Sequence, residues 1–518
     1  MKPKQPIPVI DLFAGPGGLG EGFSSLADGR HFKIAISVEK DARAHETLRL
    51  RAAFRALTPR QQVRFIELLG SYSPEVALAA FPMANEIAAK EAIHHELRLE
   101  SSDWLRDEIQ SRLGNSEHSV LIGGPPCQAY SLVGRSRNNA VKGYRLANDE
   151  RHDLYLRYLR VIADHWPSVF VMENVKGLLS ASLETESIFQ RILTDLEDPA
   201  RAIGTSRSRR HRYRLVALGG RHAGDGLFGN HSPSGFIVRS EKHGVPQARH
   251  RLIVVGIRDD LGNADPEMLA TIAPVPASLV LDDLPRLRSG VTDRGDSRES
   301  WVGAIAESRN SKWLKELESV GQGDVRQHIL GVLDRLRAPS NGRGRETIAL
   351  ASAPSYAPGW YAKDSSPLIF NHSTRGHIAS DLHRYLYVAS HGRVRSSSPS
   401  LSDFPPSLYP DHRNAKTAAR TGNLFSDRFR VQLRDQPSTT ITSHISKDGH
   451  YFIHHDPSQC RSLTVREAAR LQTFPDSYFF CGPRTSQYIQ VGNAVPPLLA
   501  RAIAHSVHGL LRTAGATE

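Results

Sequence analysis

Three cysteines in 518 residues, Cys127, Cys460 and Cys481, are too few for a disulfide framework, and their spacing matches no metal-ligand pattern. No metal centre is expected, and a reducing compartment, the cytoplasm, fits best. No apolar run is long enough to cross a bilayer, so no membrane partner is expected. The opening Met1-Lys2-Pro3-Lys4-Gln5-Pro6 lacks the apolar centre of a secretory leader. Acidic residues are in deficit, with 54 Asp and Glu against 66 Lys and Arg, a formal net charge of +12. That balance suits a nucleic-acid partner without proving one. His94-His95-Glu96 and His454-His455-Asp456 lack the i, i+4 helical spacing of zinc ligands and read as surface or packing histidines.

What is present is organised unevenly along the chain. Ile7–Phe13 and Phe32–Glu39 read as strands, with Ala14–Gly20 a tight loop opening a helix between them. From about 44 to 118 the pattern is helical. Ser119–Ile122 and Val169–Met172 are short buried runs separated by an amphipathic helix over 154–165. Two further strand-like runs, 213–218 and 236–239, precede one over 252–257. This alternation predicts an α/β fold with a doubly wound, parallel, Rossmann-like sheet. After about 259 the texture turns to Gly, Pro, Ser, Arg and His, and the alternation is lost until about 460. Order returns where Thr464 and Glu467 have capping-box spacing before a helix from Val465 to about Phe474, and a last helix runs from Pro497 to about 511. The expected domains are therefore 1–258, a separate irregular domain over 259–460, and 461–518 completing the first.

The chemistry concentrates at strand ends. Gly123-Gly124-Pro125-Pro126 closes one strand abruptly, and the two fixed φ angles hold Cys127 at the carboxyl edge of the sheet, where open α/β folds bind ligands. Gly15-Pro16-Gly17-Gly18-Leu19-Gly20 satisfies G-x-G-x-x-G, with Glu39 19 residues past Gly20. By itself this leaves a dinucleotide and S-adenosylmethionine equally open, and indicates an adenosine-containing cofactor. Cys127 and Glu173, each ending a strand, decide between them. Hydride transfer needs no such pair, whereas methylation at carbon 5 of a pyrimidine does. A thiolate must add at carbon 6, and a carboxyl group at the N3 edge, protonated at least transiently, stabilises the charge that develops. Free cysteine is only a few per cent thiolate at neutral pH, so a base or nearby positive charge must assist. Alternation along a strand puts Arg249 and Arg251 on one face, where they could hold a carbonyl oxygen, a phosphate or the thiolate.

Taken together these motifs resemble the DNA (cytosine-5) methyltransferase family. Asp11–Gly18 is similar to the family's first motif and Gly124–Gln128 to its nucleophile motif. Glu173-Asn174-Val175, Gln247–Arg251, Arg466–Pro475 and Gln490–Pro497 match further motifs, all in family order. The resemblance implies Cys127 as nucleophile, Glu173 as N3 partner, and Arg249 and Arg251 as supports for base and thiolate. It implies that Phe13, Gly15, Gly17, Gly18, Glu39, Pro126, Asn493 and Ala494 line an S-adenosylmethionine pocket. A mobile loop carrying Arg135, Arg137, Lys142 and Arg145 would close over DNA. Three features depart from the pattern. Lys40 stands where an aromatic residue often faces the adenine. No acid on the third strand is identifiable, Glu100 and Asp103 being weak candidates. The interval from Glu39 to Cys127 is long, implying a helical insertion at about 51–115.

The implied substrate is double-stranded DNA with the target base extruded, at a cost of a few kcal/mol. Residues 259–460 correspond in position to the family's target-recognition domain, with Arg413, Lys416, Arg420, Arg428, Arg430 and Arg434 as candidate contacts to phosphate or base. By analogy the protein is the modification half of a bacterial restriction system, with a cognate restriction endonuclease as a further partner. The alternatives are an RNA (tRNA) cytosine-5 methyltransferase and a catalytically inactive DNA-binding regulator.

Overall fold

The computed structural model describes residues 5–98, 102–126, 150–180, 182–183, 186–205, 211–219, 233–350, 352–363, 368–410 and 427–516. They divide into two compact units, the first comprising 1–57, 78–273 and 494–518, the second 58–77 and 274–493.

The first unit is built on a sheet with eight strands among the described residues: β1 (Ile7–Leu12), β2 (Phe32–Glu39), β3 (Ala92–His94), β4 (Val120–Gly123), β5 (Val169–Val175), β6 (Tyr213–Ala217), β7 (Ile237–Arg239) and β8 (His250–Arg258). Their order is β3-β2-β1-β4-β5-β8-β6, with β7 also paired to β8. β1 to β5 run parallel, as the strand–helix alternation predicts. The expectation of a wholly parallel sheet fails at β8, which runs antiparallel to β5, β6 and β7. No crossover helix precedes β8. The chain turns back from β7 through Ser240–Gly244, and such a short return produces antiparallel neighbours.

Alternation along the strands feeds two cores, one on each face of the sheet. Ile10, Leu12, Phe170 and Met172 meet the helices Ser102–Leu113, Glu150–His165 and Ile188–Glu197 on one side. Val9, Ile34, Val169 and Val171 meet α1 (Gly18–Ser24) and the C-terminal helix Pro497–Thr513 on the other. Leu499, Ile503, Val507 and Leu510 repeat at helical spacing and are all fully buried, each contributing about 1.5–3 kcal/mol. Two glycines let these helices approach. A Cβ on Gly18 would lie 2.2 Å from the Val495 carbonyl oxygen, and one on Gly22 2.3 Å from the Ala500 methyl.

The insertion expected as purely helical at 51–115 contains β3, the edge strand of this sheet. Part of it, the helix Pro59–Ser71, belongs to the second unit and buries Phe65, Ile66 and Leu69 there. The second unit is also more regular than its composition suggests. Helices Arg298–Ala306, Lys312–Ser319 and Gly323–Asp334 share a core with Ala379–Arg395, centred on Trp301, Trp313, Tyr385 and Tyr387. Ser297 and Ser311 cap the first two through their side chains.

A further difference concerns 461–493, expected to rejoin the first unit but clustering with the second. The cause is three buried arginines. Arg461 bonds Glu467 and the Leu287 carbonyl, Arg466 bonds the Phe370, Pro475 and Tyr478 carbonyls, and Arg470 bonds Asp283, Asp476 and the Val280 carbonyl. The capping box of Thr464 and Glu467 forms as predicted, and its helix spans Val465–Leu471. The chain returns to the first unit at 494. Among the described residues no helix is long and apolar enough to cross a membrane.

Candidate active site

The carboxyl ends of β1 and β2 build a shelf from backbone and one carboxylate. Beyond β1 the chain takes left-handed backbone at Phe13 (φ 56°), Gly15 (φ 57°) and Gly17 (φ 94°). Glycine accepts this freely, while Phe13 bears it as strain of about 1–3 kcal/mol. The Gly15 N–H donates to Glu39 Oε2 at 2.8 Å, and the Asp41 N–H donates to Glu39 Oε1 at 2.7 Å. Each carboxylate oxygen thus keeps a lone pair, and a Cβ on Gly15 would meet nothing within 4 Å. An open glycine beside a fixed carboxylate fits the ribose hydroxyls of an adenosine cofactor. Gly17 is the N-cap of α1, and Gly18 packs under Val495. Ala494 is buried in the first unit, whereas Asn493 is exposed at the end of a helix of the second.

The third strand, missed in the sequence, brings a carboxylate to the same edge. The His95 N–H donates to the Glu39 carbonyl at 3.0 Å, and Glu96 pairs with Lys40 at 3.5 Å. Asp103 sits instead in the first turn of the helix Ser102–Leu113, paired with Arg106, and Glu100 lies outside the described residues. Asp11 was also overlooked. It is fully buried on β1, neither carboxyl oxygen has a hydrogen-bond partner among the described residues, and burial pushes its pKa up to about 8. A lone acid inside the apolar run Ile7–Phe13 was the signal for it.

A second constellation forms where β4 and β5 end and β8 begins. Arg251 Nε donates to Glu173 Oε1 at 2.8 Å. On the other side of the carboxylate, a Cβ on Gly124 would lie 2.8 Å from Glu173 Oε2, so a side chain there would push the carboxylate aside. Asn174 Nδ2 donates to the Pro125 carbonyl at 3.0 Å. Asn174 thus holds the Gly124–Pro126 turn that leads into Cys127, with the Glu173 carboxylate packed close to Gly124. Cys127 itself lies outside the described residues, as do Arg135, Arg137, Lys142, Arg145, Arg413, Lys416 and Arg420.

Arg249 does not continue the strand as simple alternation required. Its N–H donates to the Gln247 carbonyl at 3.0 Å and to Ser240 Oγ at 3.0 Å, and β8 begins only at His250. Burial, with the charge of Arg251 added, pushes the pKa of the Arg249 guanidinium well down; burial also lowers that of Arg251, against the pull of Glu173. Buried cations of this kind cluster at functional sites. In the second unit Arg428, Arg430 and Arg434 are paired with Asp448, Asp427 and Asp282.

A doubly wound sheet with Glu39 beside an open glycine loop and Glu173 paired with Arg251 is of the α/β class that binds ligands at its carboxyl edge. The family model for C-5 cytosine-specific DNA methylase matches residues 85–199 and 231–509. The chain is 30% identical to the type II methyltransferase M.Bpa9945I of Bacillus paralicheniformis over 97% of its own length and 99% of the relative's. It is 26% identical to the DNA (cytosine-5-)-methyltransferase M.ApeKI of Aeropyrum pernix over 77% and 83%. The solved structure of a prophage-encoded E. coli protein, assigned as a DNA modification methyltransferase, shares the fold with a TM-score of 0.51 and 19% identity, covering 98% and 99% of the two chains. The chain belongs to the C-5 cytosine-specific DNA methylase family and is a DNA (cytosine-5-)-methyltransferase.

Proposed function

We propose that the protein methylates cytosine within a specific double-stranded DNA sequence through a covalent Cys127 adduct on an extruded base, with S-adenosylmethionine as donor. The observation that carries this reading is the Glu173 carboxylate held by Arg251 beside the Gly124–Pro126 turn, which Asn174 bonds. Attack of the Cys127 sulfur at carbon 6 makes carbon 5 enamine-like. Carbon 5 then takes the methyl group and loses its proton, and the thiolate leaves. Glu173 acts at N3, oriented by Arg251. Arg249 and Arg251 support base and thiolate with cations that need no solvent reorganisation.

S-adenosylmethionine supplies an electrophilic methyl group on a sulfonium. Gly15, Gly17, Gly18 and Glu39 would hold its adenosine part, with Phe13, Pro126, Asn493 and Ala494 completing the pocket. Residues 274–493 act as the target-recognition unit. By analogy with type II relatives, the modification protects host DNA from a cognate endonuclease in the cytoplasm.

Labelled S-adenosylmethionine and unmethylated plasmid, followed by bisulfite mapping, test the reading. Label should fall on cytosines within one recurring duplex sequence; label on RNA alone, or none, overturns it. Cys127→Ser should abolish turnover while cofactor binding survives.

A further inference from the structure

One buried hydroxyl organises the return of the chain from β7 to β8, over residues 240–249. His250 faces Arg239 across the ladder, so Ser240 and Arg249 form the next pair toward the turn. In a regular antiparallel pair of this kind the two residues exchange both N–H···O=C bonds. The Ser240 N–H makes the first, to the Arg249 carbonyl at 3.2 Å. The acceptor for the second, the Ser240 carbonyl, is drawn into the helical turn Ser240–Lys242 that follows. There it takes the His243 and Val245 N–H groups at 3.0 and 3.3 Å. The Ser240 side chain stands in for it, and Oγ accepts from the Arg249 N–H at 3.0 Å.

The same hydroxyl donates to the Gln247 carbonyl at 2.7 Å. That carbonyl also accepts from the Arg249 N–H at 3.0 Å, which makes 247–249 a three-residue turn centred on Ala248. Ser240 Oγ therefore holds both ends of the turn, as donor to one and acceptor from the other. The turn is what takes Arg249 out of the strand's alternation. Continued as a strand, the chain would set Arg249 and Arg251 side by side on one face of β8. Instead the Arg249 guanidinium is fully buried, within the fields of Arg251 and Glu173. Ser240, Gln247 and Arg249 are all closed off from solvent, so bulk water does not replace a hydrogen bond lost here.

We propose that Ser240 is a positioning residue for methyl transfer: its hydroxyl keeps the Gln247–Arg249 turn closed and so sets where the Arg249 guanidinium stands relative to Glu173 and Arg251. This rests on the catalytic reading of Arg249 and extends it to a residue that acts only through Arg249.

The test is a double-mutant cycle on the full chain, read as methylation of unmethylated plasmid by labelled S-adenosylmethionine. Ser240→Ala should lower kcat about 10²-fold, the usual cost of a catalytic group displaced by an ångström, with KM for DNA unchanged. Calorimetric binding of S-adenosylhomocysteine, also unchanged, shows that the variant is folded. Arg249→Ala should lose at least as much, and adding Ser240→Ala to it should cost nothing further. A serine that only supports the fold would add its own loss in that background. Ser240→Thr keeps the hydroxyl and should recover most of the rate. Where Ser240→Ala fails to fold, Ser240→Cys, of similar size and weaker hydrogen bonding, takes its place in the cycle. The proposal is overturned if the folded Ser240 variant turns over at the wild-type rate, if the two losses multiply, or if a folded Ser240→Thr is no faster than Ser240→Ala. Loss in Arg249→Ala without loss at Ser240 sinks this inference alone. An Arg249→Ala enzyme as fast as wild type fells the catalytic reading of Arg249 and this inference with it.

Discussion

At the residue scale, the carboxylate of Glu173 is the most constrained group of the candidate site, with Arg251 on one oxygen and the Gly124 backbone against the other. Glu173→Gln keeps the shape but loses the ion pair and the transferable proton. Turnover should fall by about 10²–10⁴, the usual worth of a positioned acid or base, with DNA affinity little changed. Single-turnover methylation and a gel-shift titration check the two halves. Gly124→Ala should lower turnover too, because its Cβ would push the Glu173 carboxylate out of place. Asp11 gives a pH signature. Its folded pKa, about 8, stands above the ordinary carboxylate value, so it contributes stability below pH 4 that is lost as pH rises through 8. Asp11→Asn should flatten that alkaline decline in urea melts taken between pH 6 and 9.

Elements show what was legible in the sequence and what was not. β1, β2, β4 and β5 were readable because each is an apolar run ended by chemistry, and Glu39, Cys127 and Glu173 stand at such ends. β3 was not. Its three residues, Ala92-Ile93-His94, are too short for periodicity to register, and the acid that follows, Glu96, stood in a cluster read as surface or packing histidines. β8 was readable as a strand but not in direction, since direction depends on how the chain arrives. The arginines of 461–470 are buried because backbone carbonyls and acids surround them, partners that lie far off in the sequence. The α1 contact gives an element-scale prediction. Gly18→Ala sets a Cβ 2.2 Å from a backbone oxygen, so the C-terminal helix must shift, at about 1–3 kcal/mol. Denaturant unfolding should show the loss, and cofactor affinity should fall with it.

For the whole molecule, acid stability is set by the second unit. Burial holds His372 at about 4, so the unfolded chain takes up a proton first as pH falls below 6.5, and stability declines until about pH 4. Burial alone would raise Glu467, but Arg461 and His454 overcome it and hold the carboxyl far below its ordinary range. Its contribution is present above pH 4.5 and lost below. Thermal melts should therefore fall from pH 6.5 and steepen under 4.5, and Glu467→Gln, which strands Arg461, should cost about 3–5 kcal/mol at neutral pH. With a net charge of +12 and a DNA substrate, the logarithm of DNA affinity should fall steeply with that of salt. A flat dependence, measured by fluorescence anisotropy, would contradict an extensive phosphate interface.

The excursion of residues 58–77 has a practical consequence for anyone who wants to re-aim this enzyme. Neither unit is encoded by one uninterrupted stretch of gene. A chimera that grafts 274–493 from a relative leaves the host helix Pro59–Ser71 facing a foreign residue at 368, so each exchange of the second unit must carry two cassettes, the second lying between the strand that bears Glu39 and the strand that follows it.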